Sequence, residues 1–311
     1  MDSSALKRLV PTDAVALGMI RAGVCGFILF EILTTSFADL GKLPVTVLRP
    51  TGVMQLLPWR FYDSLLTPSG ILTLKALLVF SLLAATCGWL TEFTTKSSGL
   101  LFVFYEGLLR SFSHFNHDEM PAAYILIALA FTPCGDAFSL DRHQGRKLPR
   151  PPGMVYGYPI LLMRLLLSWS YLSSALMKLR LSGLSYFSSD NLPSLAILHS
   201  LDNLHDTQFR FAFWLPQVRE YTPFVLALVV AWELAFPLAV FVKRLRAPIL
   251  IGRVLFHLGT LFFMNIFFPY HLAMYLVFID WGRLRERVAS VWSAAAKLVF
   301  QKRGLSLGEQ S

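Results

Sequence analysis

Charged residues are scarce in this sequence. Only 15% of its 311 residues are Asp, Glu, Lys or Arg, whereas 55% are hydrophobic and 26 are Phe. Soluble domains carry about 25% charged residues, so the composition excludes water as the solvent for most of the chain. Apolar runs of roughly 20 residues then predict membrane-spanning helices. We interpret the net charge of +9 as the cytoplasmic Lys/Arg excess of a membrane protein, with no nucleic-acid partner.

Several motifs with a known chemistry are also absent. The three cysteines, Cys25, Cys87 and Cys134, show no CxxC spacing and are expected to be packing residues. The sequence contains no Gly-rich phosphate loop and no GxSxG nucleophile elbow. The clusters "SHFNHDE" and "HSLDNLHD" lack HExxH or HxxxH spacing, so no metal site is predicted. The polar N-terminus and Arg21 in the first apolar run predict no cleavable signal peptide.

The apolar segments predict an all-α, polytopic integral membrane bundle of about eight spans. The spans fall near residues 14–36, 71–90, 98–115, 120–138, 158–179, 223–242, 248–268 and 270–282. Between the fifth and sixth, the stretch 182–222 has apolar residues at helical spacing among polar ones, which predicts interfacial or re-entrant helices. The chain divides into a transmembrane domain, 1–282, and a basic amphipathic tail helix, 283–311.

Basic residues predict the orientation of these spans. Lys7 and Arg8, Lys96, "RHQGRKLPR", "KRLR" and the basic tail all lie on one side of an eight-span bundle, and the other side carries few Lys and Arg. Because Lys and Arg accumulate on the cytoplasmic side, both termini are predicted to be cytoplasmic. The stretch 182–222 is then expected on the outer or lumenal side. Membrane lipid is the expected partner, and no signature of a protein partner is present.

One apolar span carries a polar stripe. On a helix at 100° per residue, the side chains within an arc of about 80° include Arg164, Tyr171, Ser174 and Lys178. Such a stripe is expected to face protein or a water-filled interior. Lys178 permits two interpretations, because a lysine at the end of a span can snorkel to the interface as an anchor or serve a functional site.

Other spans contain ionisable residues as well. Arg253 and His257 share a face of the seventh span, and Glu233 lies near the middle of the sixth. For Arg21, Arg164 and Arg253, structural pairing, with Glu233 among the partners, is expected rather than binding of lipid phosphates.

The predicted topology places Lys178 and His117 on the same outer side of the bundle. These two side chains, 61 positions apart, are therefore candidates for a single cavity. A lysine desolvated in such a cavity is a usable base near neutral pH, since burial disfavours its charged form.

Four segments together resemble a known family. They are "LVPTDAVALGMIRAGVCG" (9–26), "FNHDEMPAAYILIALAFTPCGDAFSLDR" (115–142), "YLSSALMKL" (171–179) and "VLFHLGTLFFMNIFFPYHLAMYLVFIDW" (254–281). In order and spacing they resemble the HTTM family, the transmembrane module shared with vitamin K-dependent gamma-carboxylase. The resemblance covers about residues 9–282.

The resemblance implies a site and a cofactor. Lys178 matches the family lysine regarded as the base of a quinol-driven reaction, and His117 matches a histidine implicated in carboxylation. A reduced quinone of the vitamin K type is the implied cofactor. With Lys178 and His117 as the catalytic pair, the expected cavity residues are Asn116, Arg164, Tyr171, Ser174 and His257.

The chain also departs from the carboxylase. It ends soon after its last span, so we expect no large lumenal region, and "SSALMKL" replaces the glycine that precedes the family lysine. Two functions therefore stay open: a membrane enzyme acting on a quinol or another hydrophobic substrate, and a non-catalytic module that binds lipid or a partner protein. A third, a DoxX-like quinone oxidoreductase subunit, is disfavoured by the stretch 182–222 and the long C-terminal half.

Overall fold

The computed structural model describes residues 9–35, 38–112, 118–203 and 209–302, and these ranges are helical without a strand. The first α-helices in chain order are α1 (Ala14–Thr34), α2 (Trp59–Leu65), α3 (Pro68–Cys87), α4 (Thr91–Arg110), α5 (Met120–Ala130), α6 (Leu140–His143) and α7 (Met154–Ser182). They are followed by α8 (Asn191–Asp202), α9 (Thr222–Ala235), α10 (Leu238–Phe241), α11 (Lys243–Met264), α12 (Pro269–Met274) and α13 (Trp281–Lys302). Short 3-10 helices include Gly183–Phe187, Phe211–Tyr221 and Tyr275–Phe278.

Four helices are long and apolar enough to cross a membrane. They are α1, α3, α7 with its extension to Phe187, and α11. A roughly 30 Å hydrocarbon core requires about 20 helical residues, and each of these helices meets that length. The predicted all-α membrane character is confirmed at this level, whereas the count of eight spans stays a prediction.

The remaining predicted spans correspond to shorter or more polar helices. Helix α4 has 20 residues but carries Glu92, Lys96, Glu106 and Arg110, and α5 has only 11. The run predicted at 223–242 is divided, because α9 ends at Ala235 and Pro237 interrupts the helical hydrogen bonding. The last run divides into α12 and a 3-10 turn.

Neighbouring helices pack in chain order around a main apolar core. Helix α1 packs on α3, α3 on α4, α4 on α5, α5 on α7 and α7 on α9. Helix α12 packs against α1 and α5, while α11 packs against α8, α9 and α10. This arrangement brings α5, α7, α9, α11 and α12 around a common space, which contains the candidate site.

Local capping fixes where the long helices begin. The Asp13 carboxylate accepts a hydrogen bond from Ala16 N at 2.9 Å at the start of α1. Thr67 Oγ accepts one from Gly70 N at 3.0 Å, and Pro68 occupies the first turn of α3, where its missing N–H is harmless.

Two of the buried arginines are held by backbone carbonyls. Arg21 on α1 donates to the carbonyl of Phe138. Arg164 on α7 donates from Nε to the carbonyl of Val277 at 2.7 Å and from Nη1 to that of Leu9 at 2.8 Å. The expected structural pairing of these arginines thus takes the form of side chain to backbone bonds.

The N-terminus of α4 is capped from a distant part of the chain. Asp141 on α6 accepts hydrogen bonds from Leu90 N at 2.9 Å, Thr91 N at 2.7 Å and Thr91 Oγ at 2.7 Å. Burial by itself raises the pKa of this carboxyl. The hydrogen bonds and nearby Arg146 together lower it by more than burial raises it, so the pKa of Asp141 lies below its ordinary value. The negative charge also interacts favourably with the positive end of α4.

We expect Asp141→Asn to lower the free energy of unfolding by about 1–2 kcal/mol at neutral pH, because the cap loses its charge and an acceptor. A depressed pKa contributes stability above the unfolded value of about 3.9, and that stability is lost as the pH falls through the lower folded value. The difference between wild type and variant should therefore shrink below about pH 4.

Detergent-micelle unfolding followed by circular dichroism at several pH values measures this difference. Asp63→Asn is the matched control, because Asp63 is exposed. A difference that stayed constant down to pH 3 would contradict the assignment of the charged cap to Asp141.

Candidate functional site

A cavity of about 730 Å³ lies among α5, α7, α9, α11 and α12. Its volume is in the range of sites for small organic molecules, about 300–1,000 Å³. Much of its wall is apolar, including Trp169, Met177, Leu181, Phe256 and Phe268. A few ionisable and hydroxyl side chains interrupt this wall, as expected of a ligand site.

Lys178 lies in this cavity and is bound to a buried carboxylate. Its Nζ is 2.6 Å from Oε1 and 2.7 Å from Oε2 of Glu233, and it also donates to Ser174 Oγ at 3.2 Å. The side chain of Glu233 is only 2% exposed and that of Lys178 is 24% exposed. The lysine therefore does not extend to an aqueous interface as an anchor.

The direction of the Lys178 side chain follows from helix geometry. Cα–Cβ bonds in a helix tilt toward its N-terminus, so the lysine begins its course toward the preceding turn. Ser174 lies on that turn and receives one of its hydrogen bonds. Glu233 extends from α9, which packs on α7, and meets the ammonium group there.

Arg253 on α11 is a second cation beside Glu233. Its Nη2 is 3.7 Å from Glu233 Oε1, and its side chain is 2% exposed. The guanidinium lies against two rings, with Cζ 4.1 Å from the centroid of Tyr171 and 4.1 Å from that of Phe256. Its Nε and Nη1 have no hydrogen-bond partner in the part of the chain that the structure describes.

Three aromatic side chains form a hydrogen-bonded group next to these charges. The hydroxyl of Tyr171 is 2.9 Å from His257 Nε2 and 2.6 Å from the hydroxyl of Tyr275. His257 lies one turn after Arg253 on α11, and its Nδ1 has no hydrogen-bond partner within the described ranges. This group can accept or donate a proton at the cavity wall.

A second histidine links the cavity to a carboxylate. His271 on α12 lines the cavity, and its Nδ1 is 2.8 Å from Asp118 Oδ1. Its ring centroid lies 5.5 Å from that of His257 and 5.5 Å from that of Tyr171. Within residues 9–35, 38–112, 118–203 and 209–302, no group of three His, Cys, Asp or Glu side chains could hold a metal ion.

The structure brings together most of the described residues named from the sequence. Lys178, Tyr171, Ser174 and His257 all line the cavity. Arg164 does not, because it lies about two turns before Tyr171 on α7 and is bound to the carbonyls of Leu9 and Val277. Asn116 and His117 lie outside the described residues.

Several residues in or beside the cavity were missed by sequence reasoning. The expected pairing of Glu233 with an arginine is found at Arg253, 3.7 Å away, whereas its contact with Lys178 was not predicted. His271, Tyr275 and the role of Asp118 as the partner of His271 were not singled out. The available signal for Glu233 was that a buried lysine and a buried carboxylate in apolar helices each require a partner. No such signal distinguished Tyr275 from the other tyrosines.

One side of the cavity opens toward the outer surface of the helices. Trp169, Met177 and Leu181 line it and are 57%, 46% and 75% exposed. These apolar side chains lie on α7, a candidate membrane span. An apolar molecule can thus reach the charged end of the cavity along an apolar surface.

The arrangement combines an apolar entrance, a lysine–carboxylate pair and a hydrogen-bonded histidine. It can bind a hydrophobic molecule by its polar head and exchange a proton with it. The sequence matches no protein-family model and no curated protein, and the fold matches no solved structure.

Proposed function

We propose that this chain is a multi-pass membrane enzyme of the HTTM type, with eight spans and both termini cytoplasmic. Its substrate is a reduced quinone or another hydrophobic molecule with an ionisable hydroxyl group, and Lys178 is the base. The observation that carries the proposal is the Lys178–Glu233 pair, which lies inside a cavity with an apolar entrance.

The pair needs one internal proton transfer before Lys178 can act as a base. The ammonium form of Lys178 has no lone pair to accept a proton. Its three N–H groups donate to the two oxygens of Glu233 and to Ser174. Transfer of one proton across the 2.6 Å contact yields a neutral amine and a neutral carboxylic acid. Such exchange between partners is favoured by a desolvated site, where charge separation costs more than in water.

The neutral amine then accepts the hydroxyl proton of the substrate. For a hydroquinone the products are the ammonium group and a quinolate anion, which reacts readily with oxygen. The complete reaction of one hydroquinone with one O₂ gives one quinone epoxide and one water, so no further reductant is required. Tyr171 and His257, which line the same cavity, would bind the second oxygen of the ring, and His117 and Asn116 remain candidates on the resemblance alone.

Protein reconstituted in phospholipid nanodiscs with reduced phylloquinone or menaquinone and oxygen tests this proposal. We expect wild type to form the epoxide, measured by chromatography, and Lys178→Ala to reduce the rate by about 10²–10⁴-fold, the usual contribution of a general base. Glu233→Gln and His117→Ala should also lower the rate. Arg180→Ala is the matched control, because Arg180 is an exposed cation on the same helix.

A folded wild type that forms no epoxide would favour the second candidate function, a non-catalytic module that binds lipid or a partner. The observation in its favour is the lateral opening at Trp169, Met177 and Leu181, which suits an acyl or isoprenoid chain. Equal rates for wild type and Lys178→Ala would exclude Lys178 as the base.

A further inference from the structure

The charged end of the cavity contains more positive than negative charge. Lys178 and Arg253 both adjoin Glu233, the one carboxylate that forms ion pairs with them among the described residues. Both carboxylate oxygens are already hydrogen-bonded to Lys178, whereas Arg253 approaches only to 3.7 Å. The guanidinium is therefore incompletely neutralised. Asp118 forms its ion pair with His271.

The surroundings of Arg253 stabilise its charge and fill only part of its hydrogen-bonding capacity, since Tyr171 and Tyr275 interact with its guanidinium while Nε and Nη1 lack a partner among the described residues. The rings of Tyr171 and Phe256 both lie against the guanidinium, each with its centroid 4.1 Å from Cζ. Aromatic faces attract a cation, but they supply no acceptor to the N–H groups at its edge. Nε and Nη1 of Arg253 and Nδ1 of the neighbouring His257 thus have no hydrogen-bond partner within the described ranges.

A buried cation with unfilled donors favours binding of an anion. Burial of a charge is costly unless it is paired and hydrogen-bonded. The planar guanidinium has donors whose fixed geometry suits carboxylate and phosphate oxygens, and Arg253 lines the cavity. The apolar remainder of the cavity, with the exposed Trp169, Met177 and Leu181 at its entrance, suits a hydrocarbon chain.

We infer that the cavity binds a single-chain amphiphile with an anionic headgroup, which is held by Arg253 while its chain lies along Trp169, Met177 and Leu181. The headgroup is a carboxylate or a phosphate monoester. This inference deepens the proposed function by naming the class of a molecule bound at the same site, and it rests on that proposal only in treating the cavity as a ligand site.

Equilibrium binding to wild-type protein in neutral phosphatidylcholine nanodiscs tests this inference. Tritiated oleate, tritiated 1-oleoyl lysophosphatidate and tritiated oleyl alcohol share one chain and differ in headgroup, and binding to empty nanodiscs is subtracted. We expect at least one anion to bind about 10–100-fold more tightly than the alcohol, the usual effect of a hydrogen bond to a charged group. The tighter of the two anions identifies the headgroup.

Variants of Arg253 connect the preference to this residue. Arg253→Gln should abolish the preference for the anion and leave binding of oleyl alcohol unchanged, and Arg253→Lys should retain part of it. Arg244→Gln, at an exposed position of the same helix, should behave as wild type. If Arg253→Gln does not fold, the wild-type comparison and Arg253→Lys still decide.

Equal binding of anions and alcohol by wild type would overturn the inference, and so would a full preference retained in folded Arg253→Gln. The result is separable from the proposed reaction, because binding is measured without hydroquinone. Anion preference without epoxide formation would support the inferred ligand class and contradict the proposed reaction. Epoxide formation without anion preference would support the reaction and contradict the ligand class.

Discussion

Replacing Glu233 with glutamine is expected to lower the free energy of unfolding by about 3 kcal/mol. Breaking a buried ion pair at one partner usually costs about 3–5 kcal/mol, because a charge remains without a counterion. Here the lower end applies, since the Lys178 side chain is 24% exposed and retains some solvation. Arg253, at 2% exposure, has no such relief. Unfolding in mixed micelles at increasing mole fractions of dodecyl sulfate measures the change.

A double-mutant cycle separates the pair from general effects of substitution. Lys178→Met combined with Glu233→Gln should cost less than the sum of the two single changes. In the double variant, neither member of the pair remains as a buried charge without its counterion. Glu92→Gln is the matched control, since Glu92 forms ion pairs with Lys96 and Lys147 but is exposed. If Glu233→Gln were as stable as Glu92→Gln, the buried pair would not exist in the folded protein.

Gly88→Ala is the second substitution with a large expected effect on stability. Gly88 ends α3 at a φ of +70°, where residues with a Cβ are strained. An added Cβ would lie 1.9 Å from Arg21 Nη1 and 2.4 Å from Ser139 Cβ. The buried arginine would have to shift from its bond to Phe138. We expect a loss of about 2–4 kcal/mol from backbone strain and overpacking together.

Gly145→Ala is the control for Gly88→Ala. Gly145 also has a positive φ, +72°, but a Cβ there would meet nothing within 4 Å. It should therefore cost only about 1 kcal/mol, the strain of the left-handed conformation alone. Thermal unfolding in detergent of the two variants compares them. Equal losses of stability in the two variants would show that Arg21 and Ser139 shift away from the new Cβ without an energetic penalty.

The fold class could be predicted from composition, whereas helix bounds could not. Apolar content and low charge are properties of whole segments, so they predicted the helical membrane character that α1, α3, α7 and α11 show. The division of the run 223–242 depends on Pro237, and the polar character of α4 depends on four charged side chains. Such local interruptions weigh little in a hydropathy average.

For the site, periodicity succeeded within one helix and failed between helices. The 100° spacing placed Tyr171, Ser174 and Lys178 on one face, and all three line the cavity. The same spacing included Arg164, but that arginine meets the carbonyls of Leu9 and Val277. A helical wheel specifies direction around an axis and says nothing of what a neighbouring segment presents at each level.

Contacts between distant segments were the least accessible to sequence reasoning. Glu233 lies 55 residues from Lys178, and Asp118 lies 153 from His271. Each pair meets because helices pack side by side, and the sequence between the partners does not record which helices are neighbours. The expected meeting of Lys178 with His117 falls outside the described residues and stays a prediction.

The opening at Trp169, Met177 and Leu181 bears on the medium from which the proposed ligand would enter the cavity. With α7 spanning the bilayer as proposed, a ligand entering there would arrive by two-dimensional diffusion in the lipid, already partitioned out of water. Its effective concentration is then its mole fraction among the lipids, so affinity for the cavity and affinity for the bilayer are separate quantities. Dilution with inert phospholipid depletes such a ligand, whereas dilution with buffer leaves its supply unchanged.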